Sequence, residues 1–262
     1  MKQALKNGLV INYAEHNDHA TNTLIFLHGN SHSHKSFTKQ AASDALKDFR
    51  LVLLDLPGHG DSSHLTDEYS LPSIAELVAE FISLKNIENY ILIGHSFGGH
   101  ITIHSLQYLN PLGLVIFGTP PISRPFELGS FLPHPGFIPL TKGTSNLEEL
   151  QMLTDVLNYE GVHKETFLED YYRADSRFRE TIFLGISKMN YFDEVQLLKN
   201  YKGKAHVILS NHETIINNEY IRRVIKKIDF TYMDCSHSPQ TERTEEFNLL
   251  IRNFAQGVFG TK

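Results

Sequence analysis

Gly94-His95-Ser96-Phe97-Gly98-Gly99 follows the apolar run Tyr90-Ile91-Leu92-Ile93 and opens a helix-like run that reaches residue 109. A serine between two glycines, at the junction of a buried strand and a helix, sits on a sharp turn with a strained backbone. Side chains at Gly94 and Gly98 would collide with the neighbouring strand and helix, which is why glycine is needed there. The helix N-terminus then lies under the serine oxygen and favours negative charge developing beside it.

Outward from this turn, apolar β-rich runs alternate with helical stripes. Residues 9–13, 23–27, 50–54, 90–93, 112–117, 206–210 and 230–233 read as strands, the first in a hairpin turning at Asn7-Gly8. Residues 36–49, 71–85, 97–109, 219–228 and 242–254 read as helices; in 71–85 the apolar positions 71, 74, 77, 78, 81 and 82 form one stripe. Such alternation predicts an α/β fold: a mostly parallel sheet of about eight strands with helices on both faces. The pattern breaks after Gly118-Thr119-Pro120-Pro121, and no strand run returns before residue 195. The expected organisation is a core of residues 1–118 and 195–262 interrupted by an inserted helical cap, 119–194.

A serine hydroxyl is a weak nucleophile until a base takes its proton, usually a histidine oriented by a carboxylate. In sites built on this turn the partners follow in the order Ser, acid, His, each on a loop after a strand. The loop after the last strand reads Asp234-Cys235-Ser236-His237-Ser238-Pro239, and no histidine follows it. His237 is therefore the expected base. After strand 206–210 comes Asn211-His212-Glu213-Thr214, where Glu213 is the only acid; Asp193 and Asp234 are the fallbacks. An oxyanion needs two donors. The Phe97 N–H, just after the serine, is one, and the Asn30 N–H in the turn His28-Gly29-Asn30-Ser31 is the other. The run Asp55 to Ser62 is expected to be a shaped structural turn, and Tyr159 a substrate contact.

Composition narrows the alternatives. The 262 residues carry a formal net charge of -6 and no Lys/Arg stripe, which argues against nucleic acid as partner. Arg222-Arg223 and Lys226-Lys227 read as a solvated face. Cys235 is the single cysteine, so no internal disulfide exists. With no apolar leader and no membrane-length run, the expectation is a cytoplasmic, monomeric protein with no membrane partner. Among fifteen histidines, His28, His32 and His34 raise the question of a metal centre, but the run His32-Ser33-His34-Lys35 lacks the Asp-His that a zinc lactonase requires. Neither metal nor cofactor is expected.

These residues, in this order, resemble the α/β-hydrolase superfamily. His28-Gly29-Asn30-Ser31, Gly98-Gly99-His100-Ile101, Gly118-Thr119-Pro120-Pro121 and the basic segment Arg173 to Arg179 look like the α/β-hydrolase-type N-acyl-homoserine lactonases, as does a glutamate as the acid. The resemblance implies an α/β-hydrolase fold and serine-dependent opening of a lactone bearing an acyl tail, with quorum quenching as its role. A general carboxylesterase, a carbon–carbon bond hydrolase, and a ligand sensor on the same scaffold share these motifs. Aspartate-nucleophile hydrolases are excluded by Ser96. Apolar insertion residues, among them Phe131, Phe137, Leu153 and Leu157, are candidates to hold the tail.

Overall fold

The computed structural model describes residues 1–260. Two short strands, β1 (Lys2–Ala4) and β2 (Val10–His16), form an antiparallel hairpin turning at Asn7-Gly8, where Gly8 has φ +83. β3 (Thr23–Leu27) leads through the turn His34–Phe37 and the single helical turn α1 (Thr38–Ala41) to β4 (Arg50–Leu54). Then follow α2 (Leu71–Leu84), β5 (Tyr90–His95), α3 (Phe97–Ser105) and β6 (Gly113–Phe117). The chain next runs through α4 (Leu147–Val156), α5 (Gly161–Arg173), α6 (Ser176–Ser187) and α7 (Glu194–Asn200). It closes with β7 (Lys204–Ser210), α8 (Asn218–Val224), β8 (Asp229–Met233), α9 (Pro239–Glu242) and α10 (Thr244–Phe259).

The eight strands form one sheet in the order β1-β2-β4-β3-β5-β6-β7-β8. The pairs β1–β2 and β2–β4 are antiparallel and the other five are parallel. Because side chains alternate along a strand, a sheet covered on both faces reads as continuous apolar runs. Ile25, Leu27, Val52, Leu54 and Leu92 join the core on the face of α2. Leu24, Phe26, Leu51, Leu53 and Ile91 join the core on the face of α10. A third core, including Ile103, Leu114, Ile116 and Leu209, packs under residues of α4 and α5.

Two expected helices differ. Over 36–49 the structure has short turns instead, because Ser43 caps its own local turn by accepting from the Ala45 N–H at 3.2 Å. Phe37, Leu46 and Phe49 are all buried, so the apolar pattern reflects packing rather than a continuous helix. α3 stops at Ser105 rather than 109: residue 110 precedes Pro111, which disfavours helical geometry there, and the chain tightens into i→i+3 turns. Among the described residues no helix is long and apolar enough to cross a membrane.

Candidate active site

Ser96 lies between β5 and α3 with φ +50 and ψ −115, the left-handed side of backbone space that costs about 1–3 kcal/mol outside glycine. The surroundings over-determine this conformation. The Ser96 N–H donates to Phe117 O at 2.8 Å. A Cβ on Gly98 would overlap the Leu27 carbonyl, and one on Gly94 would lie 2.5 Å from Gly98 O. The collisions expected from the sequence are therefore real ones.

His237 follows β8. Its Nδ1–H faces both carboxylate oxygens of Glu213 at 3.0 Å. Glu213 follows β7 and also accepts the Thr214 and Ile215 N–H groups, each at 2.9 Å. Burial pushes the Glu213 pKa up, but the His237 ring and these bonds outweigh it and hold the carboxyl below its usual value. The fallbacks are elsewhere. Asp193 caps α7 through the Gln196 N–H, and exposed Asp234 pairs with His212 and Arg243.

Ser96 and His237 share one cavity but are not joined by a hydrogen bond in this conformation. The cavity measures about 20 Å³ and is also lined by Gly29, Asn30, His32, His95 and Tyr159 and by apolar Leu140, Leu157, Phe167 and Ile215. That is room for about one water molecule. Neither the Asn30 nor the Phe97 backbone N–H has a partner among the described residues, so both remain free to donate. The Asn30 side chain is engaged: its Nδ2 donates to Leu140 O at 3.0 Å. The Tyr159 hydroxyl contacts His32 Nε2 at 3.1 Å and accepts from Ser238 Oγ at 3.2 Å.

Sequence reasoning missed three supports. Glu242 accepts the Ser236 and Ser238 N–H groups at 3.0 and 3.2 Å, gripping the chain on both sides of His237. His95 Nε2 donates to His237 O at 3.0 Å, and burial holds this ring far below its ordinary pKa, hence neutral. Arg179 reaches from α6 to Ser31 Oγ at 3.0 Å. The short spacing from Ser236 and Ser238 to Glu242 was the one local signal. The other two contacts join distant segments and leave no trace in periodicity.

Buried Asp55 takes the structural place expected of it, accepting from Asn12 Nδ2, His34 N–H and Asp61 N–H at 2.7–2.9 Å. The three histidines weighed as metal ligands are each engaged separately. His28 Nδ1 donates to Gly29 O, His34 contacts Asp55, and His32 contacts Tyr159. Among the described residues no three His, Cys, Asp or Glu side chains are grouped to hold a metal ion.

Comparison with known proteins agrees with this architecture. A family model described as alpha/beta hydrolase fold matches residues 22–148. The chain has the α/β-hydrolase fold. A solved structure of the N-acyl homoserine lactonase AidH, complexed with N-butanoyl homoserine, superposes with a TM-score of 0.90 at 21% identity, over 100% of this chain and 98% of that one. A putative aryl esterase from Burkholderia cenocepacia gives 0.85 at 17%, over 99% of each chain. Among curated relatives, a putative esterase/lipase of Mycoplasma genitalium is 37% identical over 83 residues, 31% of each chain. A 2-succinyl-6-hydroxy-2,4-cyclohexadiene-1-carboxylate synthase of an Enterobacter species is 36% identical over 93 residues, 35% of this chain and 34% of that one. These two matches thus span about a third of the relatives' length.

Proposed function

We propose that this protein is a serine hydrolase that cleaves a carboxylic ester or lactone with an apolar acyl portion, and within that class an N-acyl-homoserine lactone. The observation that carries the reading is the His237 ring held on Glu213 in the same cavity as Ser96, whose backbone is strained to present it. Ser96 Oγ attacks the carbonyl carbon while His237 Nε2 takes its proton, and Glu213 stabilises the imidazolium. The Asn30 and Phe97 amides receive the oxyanion. Collapse breaks the acyl carbon–oxygen bond as His237 returns its proton to the leaving oxygen. From a lactone that oxygen stays attached as the hydroxyl of the acyl-enzyme. Water, deprotonated by His237, then frees the hydroxy acid and Ser96.

The segment 119–194 serves as the cap in this reading. Its Leu140, Leu157 and Phe167 supply the apolar wall against which an acyl tail would rest. Likeness to lactonase structures supports the lactone; likeness to proteins named esterases supports the broader ester class. The test is incubation with acyl-homoserine lactones of several tail lengths, and with p-nitrophenyl esters, following ring opening by mass. Ring opening that disappears in Ser96→Ala upholds the reading. Ester hydrolysis without any lactone opening leaves a carboxylesterase, and tight binding without turnover of either leaves a ligand sensor.

A further inference from the structure

Arg179 is the one arginine of the insertion buried to 2% exposure. Among the described residues no carboxylate contacts its guanidinium. It donates from Nε to Lys142 O at 3.0 Å, from Nη2 to Gly143 O, and from Nη1 to Ser31 Oγ at 3.0 Å and Tyr171 O at 3.3 Å, and it lies 3.9 Å over the Tyr171 ring. Burying a cation is costly, and an apolar side chain would fill the same space with less penalty. Such a replacement would forfeit all of these contacts, and the one to Ser31 is the only one of them that reaches the turn beside Ser96.

Ser31 belongs to the turn that carries the Asn30 amide. It is itself in left-handed geometry, with φ +61, a conformation that a serine keeps only when held. Its hydroxyl accepts from Arg179 and donates to Asn30 Oδ1 at 2.7 Å, while Asn30 Nδ2 donates to Leu140 O at 3.0 Å. Its N–H donates to buried His59 Nε2 at 3.2 Å. On the insertion side, therefore, this turn is anchored by residues 140–143 and by Arg179.

We propose that Arg179 is a positioning residue for the oxyanion turn: through Ser31 the insertion moulds the backbone that presents the Asn30 N–H to the substrate. The insertion is then part of the machinery that stabilises the transition state, not only a cover for the acyl tail. The fork geometry of arginine matters, because one group must reach Ser31, Lys142 and Gly143 together. The inference rests on the serine-hydrolase reading above.

The experiment compares wild type, Arg179→Ala and Ser31→Ala on a p-nitrophenyl ester, with thermal unfolding and inhibition by a trifluoromethyl ketone that mimics the oxyanion. A misplacement on the order of 1 Å at a reacting group costs about a hundredfold. The expected result for folded Arg179→Ala is a kcat lower by about ten- to a hundredfold, with ketone affinity falling in parallel and KM shifting far less. Low, non-denaturing guanidinium restores part of kcat; sodium chloride at equal ionic strength does not. A merely structural role predicts loss of folded protein, with neither the parallel fall nor the rescue. Ser31→Ala keeps Arg179 and its carbonyl contacts, so it remains decisive if Arg179→Ala does not fold. Wild-type kcat and ketone affinity in folded Arg179→Ala or Ser31→Ala overturn the proposal while leaving the serine-hydrolase reading intact. A wild type inert to every ester and lactone overturns both.

Discussion

His237 Nδ1 is 3.0 Å from both oxygens of Glu213, so one ring N–H is shared between two acceptors on a single carboxylate. This sets the ring plane and leaves Nε2 without the proton, as a base must be. Ser96→Ala and His237→Ala are expected to lose several orders of magnitude in kcat, and Glu213→Gln somewhat less, because the amide can still meet the ring. Asp193→Ala and Asp234→Ala should keep near-wild-type kcat. Steady-state kinetics on one ester decides, and activity that survives Glu213→Ala but vanishes in Asp193→Ala reverses the assignment of the acid.

Much of this was legible in the residues because the deciding signals are short-range. The collisions around Gly94 and Gly98 involve segments that any strand–turn–helix unit brings together, and the histidine and glutamate follow their strands by a few residues. The apolar lining of the cavity is less legible. Leu157 and Tyr159 are among the apolar insertion residues that the sequence offers, but Leu140, Phe167 and Ile215 come from a 3-10 turn, a helix and a loop whose orientation no periodicity encodes. The run 36–49 is not a helix for a related reason: Phe37, Leu46 and Phe49 are buried by tertiary packing, while Ser43 caps a separate local turn.

Glu242 grips both N–H groups flanking His237, so its removal should loosen the base rather than the fold. Glu242→Ala is expected to lower kcat by about tenfold or more, with KM changing little. A Michaelis–Menten comparison against Glu242→Gln, which keeps one acceptor oxygen, should place the amide variant between the two.

Four imidazoles are buried in the neutral form around this site. Burial lowers His28 to about 4 and holds His32, His59 and His95 far below the ordinary histidine value. In the unfolded chain these rings take up protons near pH 6.5, whereas in the folded protein they resist. The unfolded state therefore binds more protons, and stability falls as pH drops below about 6.5. Each ring contributes roughly 1.4 kcal/mol per pH unit in that window. All four act in the same direction. Urea midpoints measured from pH 8 to 4 should drop steeply below pH 6.5, and a flat profile would contradict the assignment of neutral buried rings.

Asp170 works in the opposite sense. Burial raises its carboxyl to about 6 against the 2.6 Å bond from Ser33 Oγ, and its Oδ1 has no partner among the described residues. With a folded pKa above the unfolded one, the native state holds the extra proton between about pH 4 and 6, so stability falls as pH rises through that range and the deficit persists above it. Asp170→Asn should be more stable than wild type at pH 8 by on the order of 2 kcal/mol, with the gain gone by about pH 4. Paired denaturation curves at the two pH values measure it directly.

A cavity of about 20 Å³ beside Ser96 has room for one water molecule and not for an acyl chain. In the serine-hydrolase reading the tail therefore lies outside it, against the apolar side chains at its edge. Binding strength and chemistry are then separable. Lengthening the tail adds apolar contact without touching the reacting atoms, so it tightens binding of substrate and transition state alike. A series of acyl chains would differ in KM and keep one kcat.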